Sequence, residues 1–257
     1  MKVVRTIVEL PELGGEVGLV PTMGALHAGH RALLDRARAE NDAIVMSLFV
    51  NAAQFDDPAD FAAYPRDEAA DLRMAEEAGV DVVFAPSAHE LFPPDFETWV
   101  EPGVAARGGE GDARPGHFRG VATVCLKLFQ IVRPARAYFG QKDAQQVAVV
   151  RRMVRDLNVP VAIRVVPTVR DPDGLALSSR NVRLAPDERE RALALPRALA
   201  SARDAADPVA AARAALNGLE PEYVEVRDLG DATVLAAAVR VGGIRLIDNV
   251  LLEGAIG

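Results

Sequence analysis

Short apolar, β-branched runs alternate with amphipathic stretches over the first two-thirds of the chain. Residues 17–20 (VGLV) and 43–50 (AIVMSLFV) show no polar alternation, the pattern of strands buried on both faces. Between them, Gly29 to Glu40 places Leu33, Leu34 and Ala37 on one side with charges opposite, which predicts an amphipathic helix. The same rhythm predicts helices over about 67–78, 119–132 and 143–157, and strands at 80–85, 136–139 and 162–167. Alternation of this kind predicts a parallel, doubly wound α/β sheet, although it leaves the strand order open.

The pattern changes after about Val169. Two Ala- and Arg-rich helical segments, about 186–206 and 208–217, precede strand-like runs at 222–227 and 244–252. The expected division is a larger α/β domain over 1–168 and a smaller α+β domain over 169–257. The turn-rich stretch RDPDGLALSSRN lies at the junction, with Asp173-Gly174 as its turn signal.

Composition narrows the function classes. Half of the residues are apolar but few are aromatic, so the core must be built from Ala, Val and Leu. With 29 basic and 37 acidic residues the net charge is −8, and no Lys/Arg tract interrupts it. Such a surface repels phosphate backbones, so nucleic acid is not an expected partner. The single cysteine, Cys125, excludes an intramolecular disulfide and a Cys-based zinc cluster, and reads as a small buried hydrophobe. No apolar run reaches membrane-spanning length, and the first residues lack the apolar stretch of a signal peptide. A cytoplasmic protein without a membrane partner is expected.

Four segments carry candidate chemistry. PTMGALHAGH (21–30) lies where the first strand gives way to its helix, the place where an open α/β sheet binds ligands. Free N–H groups at that helix start favour an anion, and Gly24 and Gly29 admit a close backbone approach. His27 and His30, three apart on the first turn, share a face. A zinc site is the other reading of the two histidines, but no third ligand lies nearby in sequence. Neither a Walker loop nor a GxGxxG fingerprint is present. In SLFVNAAQF (47–55), Asn51 and Gln54 follow a buried strand and offer neutral amides to hydroxyls or a carboxylate. In FGQKDAQQ (139–146), Lys142 can pair with phosphate, Asp143 can accept from a ribose or cap the helix, and Gln146 lies one turn on. In LALSSRN (175–181), Ser178, Ser179 and Arg180 offer donors to a polyphosphate.

These segments, together with YPR (64–66), RPGHFRGV (114–121) and KLFQIV (127–132), stand in the order found in the pantothenate synthetase family, which the chain strongly resembles from about Gly18 to Asn181. The resemblance implies a Rossmann-like nucleotidyltransferase domain with a parallel sheet, a smaller α+β C-terminal domain, and a homodimer. It implies the condensation of pantoate with β-alanine, driven by ATP with Mg²⁺. Met23, Gly24, Ala25, Leu26, His27, Ala28, Gly29 and His30 then line the ATP site, as do Gly140, Gln141, Lys142, Asp143, Leu177, Ser178, Ser179 and Arg180, with Val169 beside the adenine. His30, His27, Lys142 and Arg180 form the catalytic group, Gln54 and Gln146 hold pantoate with Asn51 nearby, and Asp71 is the expected Mg²⁺ contact. One departure stands out: the family's Pro after the Asn of FVNP is Ala52 here. The competing readings are another nucleotidyltransferase of the same architecture and a non-catalytic nucleotide-binding module.

Overall fold

A computed structural model describes residues 1–256. Six strands form a parallel sheet: β1 (Lys2–Val4), β2 (Val17–Thr22), β3 (Ala43–Leu48), β4 (Val82–Phe84), β5 (Arg136–Gly140) and β6 (Ala162–Val166). Their spatial order is β1-β4-β3-β2-β5-β6. The helices between them are α1 (Ala28–Glu40), α2 (Pro58–Ala62), α3 (Glu68–Glu77), α4 (Ala88–Leu91), α5 (Gly109–Ala113), α6 (His117–Val132) and α7 (Ala144–Asp156).

Successive strand residues face opposite sides, and each side has its own core. Val20, Ile44, Met46 and Val83 pack against Leu33, Leu34 and Ala37 of α1. Leu19, Val45, Phe84 and Phe139 pack against Phe118, Val121 and Leu128 of α6 and Val147 and Val150 of α7. Both faces are therefore dry, which is why β2 and β3 read as continuous apolar runs. Each fully buried Leu in these layers contributes about 1.5–3 kcal/mol relative to exposure.

From β2 the chain builds outward through β3 and β4, whereas β5 returns to the other side of β2 and continues to β6. The carboxyl ends of β2 and β5 thus flank a topological switch point, where chain connections leave in opposite directions and a crevice remains.

The remaining elements are α8 (Pro186–Ala192), α9 (Ala194–Ala202), α10 (Pro208–Ala215), and an antiparallel meander of β7 (Pro221–Asp228), β8 (Ala232–Val241) and β9 (Ile244–Gly254). The helix expected over 186–206 is interrupted at Leu193. Pro196 has no N–H to give the Ala192 carbonyl, and its ring crowds that carbonyl. β8, which the sequence pattern did not predict, is the central strand of this sheet. Its Val234, Ala236 and Ala238 join the core of the parallel sheet, while Leu235, Ala237, Val239 and Val241 face α9 and α10. The edge strand β1 was likewise unexpected, and β3 ends at Leu48 instead of Val50. A buried polar knot also ties the antiparallel sheet to α5: Arg245 of β9 donates to both carboxylate oxygens of Glu110 in α5 (2.6 and 2.8 Å), and Tyr223 Oη of β7 donates to Glu110 at 2.7 Å. Among the described residues no helix is long and apolar enough to cross a membrane.

Because Leu235 is fully buried on β8, Leu235→Ala should lower the unfolding free energy by about 2–5 kcal/mol, read as an earlier midpoint in urea. An unchanged transition would remove β8 from the core.

Candidate functional site

A cavity of about 250 Å³ opens at the switch point, lined by the turns that follow β2, β3, β5 and β6 and by the 177–180 segment. The β2 turn is built around Gly24, whose φ of +82° suits glycine. A Cβ there would also meet Asp71 Oδ2 at 2.8 Å and Leu48 Cδ1 at 2.9 Å. Asp71, buried in α3, accepts from the N–H groups of Ala25 (3.0 Å) and Leu26 (2.7 Å), one on each carboxylate oxygen. Burial pushes its carboxyl upward, against the two N–H bonds that stabilise the charge.

His27 caps α1: its Nδ1 accepts from Gly29 N–H at 3.1 Å. His30 Nδ1 accepts from His27 N–H at 3.3 Å. A ring nitrogen that accepts carries no proton, so each neutral imidazole holds its proton on Nε2 and has that N–H left as a donor. The rings lie 4.2 Å apart between centroids, and both line the cavity. Burial, followed by the Lys142 charge, lowers His27 to about 4. Burial, His27 and Lys142 lower His30 to about 3. At neutral pH the pair is uncharged.

Beyond β3, Asn51 and Gln54 bracket a single tight turn, Ala52–Gln54. Asn51 Nδ2 donates to Gln54 Oε1 (3.0 Å) and to the Gly120 carbonyl (3.1 Å), and Gln54 Nε2 donates to Met23 Sδ at 3.2 Å. α6 approaches so closely that a Cβ on Gly120 would run into the Ala53 carbonyl. Ala52 begins the turn, a position at which a proline's missing N–H costs nothing. The turn is held by Asn51 and α6 instead, so the departure at Ala52 leaves it formed.

Of the expected residues, Met23, His27, Gly29, His30, Asn51, Gln54, Gly140, Lys142, Asp143, Gln146, Val169, Leu177, Ser178, Ser179 and Arg180 all line the cavity. Gly24, Ala25, Leu26 and Ala28 do not; the first three form the turn between β2 and α1, and Ala28 opens the helix. Gln141 turns toward Asn249 of β9. Asp71 departs furthest from expectation. Both its oxygens are engaged by the backbone, which does not fit the expected Mg²⁺ contact, and no cluster of three or more His, Cys, Asp or Glu suited to a metal occurs among the described residues.

Several residues in the cavity wall or bonded to it were not singled out from sequence. His117, within RPGHFRGV, donates Nδ1–H to the Gln54 carbonyl (2.8 Å) and accepts on Nε2 from Arg114 (3.3 Å). Burial and then the Arg114 charge lower it to about 4. Tyr64, from YPR, pairs its hydroxyl with Ser179 Oγ at 3.1 Å. Asp60 on α2 had no signal at all, yet it fills the Arg180 fork (2.6 and 3.4 Å) and also bonds Arg183 (3.2 Å). Burial alone would raise the Asp60 carboxyl, but these arginines outweigh it and hold it below its usual value.

The chain matches the family model for pantoate-beta-alanine ligase over residues 1–251. It is 51% identical to the pantothenate synthetase of Chloroflexus aurantiacus over 278 aligned positions, covering 99% of both chains. It is 47% identical to that of Thermotoga neapolitana, over 98% of this chain and all of the relative. Its backbone matches the crystal structure of pantothenate synthetase from Thermus thermophilus with a TM-score of 0.92 at 44% identity, covering 98% of this chain and 99% of the other. A pantoate-beta-alanine ligase from Francisella tularensis, described as complexed with beta-gamma ATP and beta-alanine, matches with a TM-score of 0.86 at 35% identity over 99% of each chain. With these full-length similarities and the switch-point cavity, the chain belongs to the pantoate–β-alanine ligase family.

Proposed function

We propose that the cavity activates the carboxylate of pantoate with ATP and passes the acyl group to β-alanine, giving pantothenate, AMP and pyrophosphate. The observation that carries this reading is the pair of neutral imidazoles, each with Nδ1 tied to a backbone N–H and Nε2–H left as a donor, beside Lys142 at the head of α1. Donors fixed in advance, in a site with little water, stabilise developing negative charge at no cost in reorganisation.

In the first half-reaction a pantoate carboxylate oxygen bonds to the α-phosphorus as the bond to the β-phosphate oxygen breaks, and pyrophosphate leaves with that electron pair. Charge builds on the α-phosphoryl oxygens, where His27, His30, Lys142 and the N-terminus of α1 act. In the second half-reaction the neutral amine of β-alanine bonds to the acyl carbon, the acyl–oxygen bond breaks with its electron pair going to AMP, and the nitrogen gives up one proton to the departing phosphate or to water. Gln54 and Gln146 are the proposed pantoate contacts, with Asn51 holding Gln54 in place. Neutral amides orient a carboxylate without trapping it as an ion pair. Ser178, Ser179 and Arg180 are the proposed polyphosphate contacts and form a candidate lid with their hairpin. Mg²⁺ is bound by substrate phosphates and one or two carboxylates in sites of this kind. Among the described residues no carboxylate cage is present for it, and no step here depends on the ion. A second copy of the chain as partner and the cytoplasm as compartment belong to the same proposal. Sedimentation equilibrium showing monomer alone would remove the former.

Mass spectrometry of mixtures with ATP, Mg²⁺, pantoate and β-alanine, each omitted in turn, tests the reaction. Pantothenate and AMP should appear only in the full mixture, and adenylate and pyrophosphate without β-alanine. A nucleotidylated product without AMP would favour another nucleotidyltransferase, and ATP binding without turnover a non-catalytic module.

His27→Ala and His30→Ala should each lower kcat at least tens-fold, to the order of 10²-fold, as for other transition-state donors. Near-normal turnover in both variants would refute the role. The titration of the two rings is a separate expectation. Their folded values lie below the ordinary histidine value of 6.5, so the unfolded chain binds more protons below pH 6.5, and this contribution to stability is lost as pH falls from there toward about 4 for His27 and about 3 for His30. Their imidazole ¹⁵N shifts should stay constant from about pH 8 down to about pH 5.5. Titration near 6.5 would place the rings in water.

A further inference from the structure

Asp248 and Asn249 interrupt the apolar run of β9, and both are buried. Neighbouring strand residues face opposite sides of a sheet, and here each side grips a different segment of the cavity. On one side, Asn249 Nδ2 donates to the carbonyls of Gln141 (3.0 Å) and Lys142 (2.9 Å), while its Oδ1 accepts from Gln141 Nε2 at 3.4 Å. The whole amide is engaged by the turn between β5 and α7. On the other side, Asp248 receives the Arg170 guanidinium in a fork, Nη1 to Oδ2 at 2.6 Å and Nη2 to Oδ1 at 3.0 Å. Arg170 Nη1 also donates to the Gly174 carbonyl at 3.1 Å. Asp248 Oδ1 further accepts from Asn249 N–H at 2.8 Å, which fixes the two side chains relative to each other.

Arg170 and Gly174 belong to a small hairpin that pairs at Arg170 and Ala176 and closes with Leu177 N–H on the Val169 carbonyl at 3.0 Å. The 177–180 segment leaves directly from it. One dipeptide of β9 therefore holds the 140–143 turn and, through the hairpin, the base of the 177–180 segment, the two stretches that the family resemblance assigns to ATP.

We propose that Asp248 and Asn249 are positioning residues that set these two segments in register, so that contacts from both meet one nucleotide. The inference rests on the ATP-site reading above. Burying an acid and an amide in an apolar strand is unfavourable unless their polar atoms are satisfied, and apart from the Asp248–Asn249 bond every one of the side-chain bonds described goes to the two loops. Ordering the loops in the folded state removes that entropic cost from binding.

Asn249→Asp keeps size and acceptor but loses both donors, and Arg170→Lys, at a partly exposed position, removes the fork while keeping the charge. Each should raise the KM for ATP, and its Kd by calorimetry, at least about five-fold, with the KM for β-alanine within about two-fold. Leu246→Ala is the control, since Leu246 packs in the second core on the same strand; it should lower the melting temperature and leave ATP binding unchanged. A folded Asn249→Asp or Arg170→Lys with unaltered ATP affinity overturns the proposal, as does an equal loss in Leu246→Ala. A failure of the unmodified protein to make pantothenate would count against the reaction, whereas ATP calorimetry still reads the register.

Discussion

Everything at this site depends on the parting of the chain at β2 and β5. These neighbours run parallel, but the connection from one leads left across the sheet and the connection from the other leads right. No connection crosses between their carboxyl ends, so the backbone itself leaves a crevice there. The same topology brings the start of α1 to one bank and the start of α7 to the other. Two helix N-termini then face a common space, and the positive ends of their dipoles suit it to a polyanion.

The side chains extend that logic by remaining neutral where charge would be costly. His27 and His30 give one nitrogen each to the backbone and keep the other as a donor, and burial beside Lys142 disfavours a second proton on either ring. The site thus concentrates hydrogen-bond donors without stacking three positive charges in one pocket. Asp71 serves this arrangement from behind: by accepting from Ala25 and Leu26 it satisfies a turn whose N–H groups face away from the cavity. Its carboxylate is structural in geometry even though its position in the sequence, one helix after YPR, suggested a metal.

How much was legible in the sequence depended on how local the determinants were. Strands β2 to β6 and helices α1, α3, α6 and α7 follow from periodicity, because each has one environment along its length. β8 was hidden because it is buried on both faces and rich in alanine, a strong helix former, so neither alternation nor propensity marked it. The break at Leu193 was present in the sequence as Pro196 but was masked by good helix formers around it. Most of the expected cavity residues lie in short motifs after strands, where glycines and paired polar residues are informative by themselves. Asp60, Asp248 and Asn249 carry no such local mark. Their significance comes from partners about 80 to 120 positions away in the chain, at Arg180, Arg170 and the 141–142 turn, and single-sequence spacing contains no record of those partners.

The Asp60 carboxylate in the Arg180 fork has a consequence for ligand selection. The guanidinium already has a partner within the protein, so an incoming anion does not simply gain an arginine; it exchanges one partner for another. The net gain is the difference between two charge-assisted pairs, which is small for a lone carboxylate or a single phosphate group. It becomes favourable only for a ligand that engages other donors in the cleft at the same moment. With Arg180 meeting a polyphosphate as proposed above, the internal acid would act as a threshold that an extended polyphosphate crosses more readily than a small anion.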